Sequence, residues 1–66
     1  MKIFGVCIEV HDVREPNRPR LLRLPQIESI GECPGGKCYI TMRSGRSYKV
    51  EETYEEIKNL LVKEYW

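Results

Sequence analysis

"RSYKVEETYEEIKNLLVKEY", residues 46–65, changes its period half-way along, and that change decides the fold. Through Tyr48 and Val50, apolar residues alternate with polar ones, which is the period of two of a half-buried strand. From Thr53 the period lengthens, and Tyr54, Ile57, Leu60, Leu61 and Tyr65 fall on one helical face. Thr53 with Glu56 three residues on is a capping box: each side chain satisfies a backbone N–H that the first helical turn leaves open. The spacing therefore predicts a strand that runs directly into a helix over about residues 53–65.

The same alternation extends upstream. In "CYITMR", residues 38–43, Ile40 and Met42 face one way and Tyr39, Thr41 and Arg43 the other. Ser44-Gly45 makes a tight turn into the 46–50 strand, and Pro34-Gly35-Gly36-Lys37 makes another before it, with glycines able to take positive φ. "QIESIGEC", residues 26–33, is a strand whose Ile27 and Ile30 are out of phase by one, which predicts a bulge or bend near Ser29. "RLLRL", residues 20–24, reads as a short strand ending at Pro25, and "REPNRP", residues 14–19, as a loop. "KIFGVCIEVHDV", residues 2–13, alternates throughout, with Phe4, Val6, Ile8 and Val10 on the inner face. The expectation is one α+β domain over residues 1–66. It consists of a small antiparallel sheet of four to five strands within residues 2–50, with one C-terminal helix packed on one face.

With 66 residues the core is small, and such chains often gain stability from a metal, a disulfide or self-association. No apolar run reaches membrane-spanning length, and Glu9, His11 and Asp12 interrupt the N-terminal stretch where a signal peptide would stay apolar. A cytoplasmic protein without a membrane partner is expected, and there three cysteines argue against a disulfide framework. The net charge of +1 conceals an asymmetry. Residues 14–49 carry eight Lys and Arg against Glu15, Glu28 and Glu32, whereas residues 51–66 carry five Glu against Lys58 and Lys63.

Three groups of residues are candidates for function. Arg14, Arg18, Arg20, Arg23, Arg43 and Arg46 surround the proline-stiffened loop and the Ser44-Gly45 turn, and a guanidinium fork suits phosphate or carboxylate oxygens. They make a nucleotide or nucleic acid a candidate partner, although the small net charge argues against duplex binding. Tyr39 and Thr41 form an outward stripe, and Tyr65 and Trp66 end the chain; these four are candidate contacts to a protein partner. Cys7, His11, Cys33 and Cys38 contain the donor types of a Cys₃His zinc site, with Cys7 and His11 on one strand face. Cys33 and Cys38 also bracket a four-residue turn, which accounts for two small residues there without a metal. His11 is the one histidine, with no Ser/Asp pair or Walker-type loop beside it, so no catalytic residue and no cofactor are assigned.

Residues 27–61, "IESIGECPGGKCYITMRSGRSYKVEETYEEIKNLL", resemble the small FlbD-type proteins associated with bacterial flagella and swarming, and similar short phage-borne proteins. The shared pattern is an Ile-Glu-x-Ile strand, a turn, a second strand, a glycine hairpin, a Tyr-x-Val strand and a Glu-rich amphipathic helix. The resemblance implies no catalytic residue. The expected function is that of a small non-catalytic binding or regulatory protein, homo-oligomeric, which occupies or sequesters a partner in the manner of a phage-type inhibitor. The alternatives are a nucleotide or nucleic-acid binder using the arginines, and a small zinc-stabilised protein.

Overall fold

The strand expected over residues 2–13 is folded back on itself at Gly5-Val6. The structure is a computed structural model that describes residues 2–65, with side chains described for residues 5–62. In it β1 (Lys2–Phe4) and β2 (Cys7–His11) pair antiparallel, with Phe4 opposite Cys7. Gly5 has φ of 59° at the first position of the two-residue loop, a conformation that a type II′ hairpin turn requires and that glycine adopts without strain. Val6, expected on the inner face, is 53% exposed at the hairpin tip. Because paired residues share a face, the two-residue loop inverts the alternation: Ile3 stands opposite buried Ile8, and Phe4 opposite half-buried Cys7. Phe4, expected on the inner face with Ile8 and Val10, is instead in register with Cys7, and its side chain lies outside the described residues.

The rest of the chain follows as β3 (Pro19–Arg23), a 3-10 turn (Leu24–Gln26), β4 (Ile27–Glu32), β5 (Lys37–Met42), β6 (Ser47–Thr53) and α1 (Tyr54–Tyr65). The fold is α+β, but its strands form two small antiparallel sheets instead of one. One is the β2–β3 ribbon with short β1 along its other side; the second is the meander β4–β5–β6. Pro25 sits within the 3-10 turn and lacks an N–H, so β3 cannot run on as a strand and the chain crosses into the second sheet. β6 also extends past the expected limit at residue 50, to Thr53, and leads directly into α1.

The two sheets meet where the end of β2 reaches β6. Asp12 forms an isolated bridge with Val50, and the Val13 N–H donates to the Lys49 carbonyl at 3.0 Å. Between the layers lie Ile8, Val10, Leu22, Cys38, Ile40, Val50 and Ile57, all buried, so α1 shares the core with both sheets. The bulge anticipated near Ser29 is present, as a register shift between Ile27 and Ser29. The capping box is formed as well: the Glu56 N–H donates to Thr53 Oγ1 at 3.1 Å and the Thr53 hydroxyl to Glu56 Oε1 at 3.2 Å.

An arginine-lined groove as candidate functional site

At one end of the interlayer core, the open space between β3 and β6 is closed by two inward-facing side chains. Arg20 stands opposite Val10 and two residues before buried Leu22, so alternation turns it toward the core side of β3. Tyr48 stands opposite Ile40 and two residues before buried Val50, on the same side of β6. Both are half-buried, and the Arg20 guanidinium carbon lies 4.6 Å from the centre of the Tyr48 ring. A cation over an aromatic face contributes about 0.5–1 kcal/mol near the surface, and it also holds the guanidinium in place.

Around this pair opens a groove of about 320 Å3, lined by Asp12, Arg14, Arg20, Arg46, Ser47 and Tyr48. Its arginines come from three segments: Arg14 from the loop after β2, Arg20 from β3, and Arg46 from the β5–β6 turn. Asp12 is 6% exposed, and its Oδ1 accepts the Arg14 N–H at 2.9 Å, a local turn that sets where the loop leaves β2. The Arg14 Nε stands 3.8 Å from the same oxygen, but the Arg14 side chain is 80% exposed, so this pair contributes little energy. Ser47, which also lines the groove, has its Oγ 3.3 Å from Thr41 Oγ1 across the β5–β6 pair.

The six candidate arginines therefore do not act as one cluster. Arg14, Arg20 and Arg46 meet at the groove. Arg18 lines an adjoining recess with Arg20 and stands 3.8 Å from Glu15 Oε2. Arg43 donates its Nε–H to the Pro25 carbonyl at 2.9 Å and ties the β5–β6 turn to the 3-10 turn. Arg23 is exposed near the far end of β3, opposite Cys7. Tyr39 is 46% exposed on the outer face of β5, between Gly31 and Lys49 in register, and Thr41 is half-buried on the same face. The Tyr65 side chain and Trp66 lie outside the described residues.

Away from the groove, Glu52 supplies a contact between the sheets that residue types alone did not reveal. It is 7% exposed; its Oε1 accepts the His11 N–H at 2.9 Å, and its Oε2 lies 2.7 Å from His11 Nδ1. Burial works to raise the Glu52 pKa, but the hydrogen bonds from the His11 ring and N–H outweigh it, and the net direction is down from the usual 4.5. His11 is thus engaged by a carboxylate. The expected grouping of Cys7, His11, Cys33 and Cys38 is not assembled: among the described residues no three His, Cys, Asp or Glu are placed to hold a metal ion. The reason lies in strand geometry. Cys7 and His11 are on the half-buried outer face of β2, whereas Cys33 and Cys38 are buried on the core side of the second sheet. The three cysteines are free thiols, and burial, then Cys33, then Glu52 push the Cys38 thiol up to about 11.

No protein-family model, no curated protein and no solved structure matches this chain. The resemblance of residues 27–61 to the FlbD-type proteins thus rests on the sequence pattern alone. No helix among the described residues is long and apolar enough to cross a membrane.

Proposed function

We propose that this chain is a small non-catalytic binding module, and that its partner presents an anionic group to the Arg14, Arg20 and Arg46 groove. The observation that carries the reading is convergence: three guanidinium groups from three separate segments line one groove, with Tyr48 ordering the middle one. Arginines scattered for solubility would be dispersed, as Arg23 and Arg43 are. Held together, their forks offer paired donors to phosphate or carboxylate oxygens, and anion binding relieves their mutual repulsion. Amide NMR spectra during titration with citrate, pyrophosphate and a short single-stranded oligonucleotide test the reading. Shifts centred on Arg14, Arg20, Arg46, Ser47 and Tyr48 support it; equal shifts at Arg23 and Arg43 refute it.

A second surface supports contact with a protein, a further copy of this chain included. Tyr39 stands 46% exposed on the outer face of β5, with Gly31 opposite it in register. Sedimentation equilibrium of the protein and of Tyr39→Ser tests this: a larger species that the substitution removes supports the contact, and a monomer at millimolar concentration refutes self-association.

A further inference from the structure

The groove's charge and lining narrow the kind of anion it takes. We propose that it binds the dianionic phosphate of a phosphomonoester, and not a phosphodiester or a lone carboxylate; this rests on the anion-binding reading above. Three guanidinium charges face one carboxylate, so the lining carries a net charge of two positive units. Asp12 is committed to the Arg14 N–H, which leaves its charge as a fixed local feature of the loop and not a competing ligand. Arg18 adds nothing further to the sum because Glu15 stands beside it. A phosphomonoester carries a charge of about −1.5 to −2 at neutral pH and exposes three terminal oxygens. A phosphodiester or a carboxylate carries one negative charge and two terminal oxygens, and would leave one guanidinium unmatched.

The geometry agrees with the charge. Arg14, Arg20 and Arg46 reach the groove from the loop, from β3 and from the β5–β6 turn, three separate segments and not successive positions along one strand. Binding along a nucleic-acid strand calls for a positive track with successive stacking platforms. Among the described residues one ring, Tyr48, lies at the groove, and the Arg20 guanidinium stands over it. The volume, about 320 Å3, is at the low end for small-molecule sites and accommodates a terminal phosphate with a short portion of what bears it.

Calorimetry of the full chain at pH 7.5 and fixed ionic strength tests the proposal with four aryl anions: phenyl phosphate, phenyl sulfate, diphenyl phosphate and benzoate. Phenyl phosphate and phenyl sulfate share shape and differ by one charge. The expected result is that phenyl phosphate binds about tenfold or more tightly than the other three. Arg46→Ala and, separately, Arg20→Lys abolish that preference, while Arg23→Ala leaves it intact. Arg20→Lys keeps the charge and the β3 pairing, so its loss of preference reports on the guanidinium and not on unfolding. Equal affinity for phenyl sulfate and phenyl phosphate, lost in Arg46→Ala, overturns the phosphomonoester and leaves the anion-binding reading standing. Binding of none of the probes, or binding that Arg46→Ala does not alter, overturns both. A nucleoside 5′-monophosphate and a phosphotyrosine peptide then distinguish the two sources, since tighter binding of either over phenyl phosphate assigns the group that bears the phosphate.

Discussion

Replacing Glu52 by alanine removes a side chain that joins two sheets at once, and the structure allows its cost to be worked out. The His11 N–H loses its acceptor at 2.9 Å, and a donor left unsatisfied in such a site costs about 1–3 kcal/mol. The Nδ1 contact at 2.7 Å is lost too; a hydrogen bond to a charged group contributes about 1.5 kcal/mol, less here because the His11 side chain is 30% exposed. The total is about 3 kcal/mol. A chain of this length has about 3–10 kcal/mol of stability, so the variant stands near the limit of folding. Thermal unfolding followed by far-UV circular dichroism reads this as a Tm lower by about 12–24 °C. Glu52→Gln keeps an oxygen for the His11 N–H but loses the charge, and its Tm falls by about 4–8 °C. The pH dependence has a defined sign. The folded pKa of Glu52 lies below its ordinary 4.5, so its contribution is complete above that value and is lost as pH falls through the folded one. The gap between the wild-type chain and Glu52→Gln therefore closes in acid. A Glu52→Ala variant within about 0.5 kcal/mol of wild type would refute the reasoning, because surface substitutions cost that little.

Two further outcomes follow from other residues. Ellman's reagent at pH 8 reacts with half-buried Cys7 in the folded protein and reaches Cys33 and Cys38 only in urea; three fast thiols would mean that the β4–β5 turn opens. Thr53→Ala removes the hydroxyl that accepts the Glu56 N–H and costs about 1 kcal/mol, a Tm drop of about 4–8 °C, whereas an unchanged Tm would show that tertiary packing alone sets the start of α1.

Elements whose information is local were legible in the sequence. The switch of period at Thr53, the capping box and the phase slip between Ile27 and Ile30 each involve residues a few positions apart, and each is found in the structure. The reversal at Gly5-Val6 was concealed because the apolar alternation runs through it in the sequence, although the pairing inverts the parity and sets Ile3, not Phe4, opposite Ile8; only the glycine marked it. The division into two sheets was hidden as well, since it depends on where β2 lands on β6, far along the chain. Both buried carboxylates had a readable signal that their polarity obscured: Asp12 follows Val10 by two residues and Glu52 follows Val50 by two, so alternation turns each inward. Among the arginines, residue type singled out six, but only the register of β3 and β6 distinguishes Arg20 beside Tyr48 from Arg23 and Arg43.

The junction of β2 with β6 has a consequence for how long the native state lasts. His11 and Glu52 are 41 residues apart, whereas β4, β5 and β6 are joined by short turns and make their contacts locally. Closing a loop of that length is entropically costly, so a transition state built from the local meander is reached before the junction forms. Contacts absent from the transition state leave the refolding rate almost untouched and appear in the rate of unfolding. In a chevron plot Glu52→Ala raises the unfolding arm while the refolding arm stays near wild type, so the loss of this one side chain shortens the lifetime of the native state.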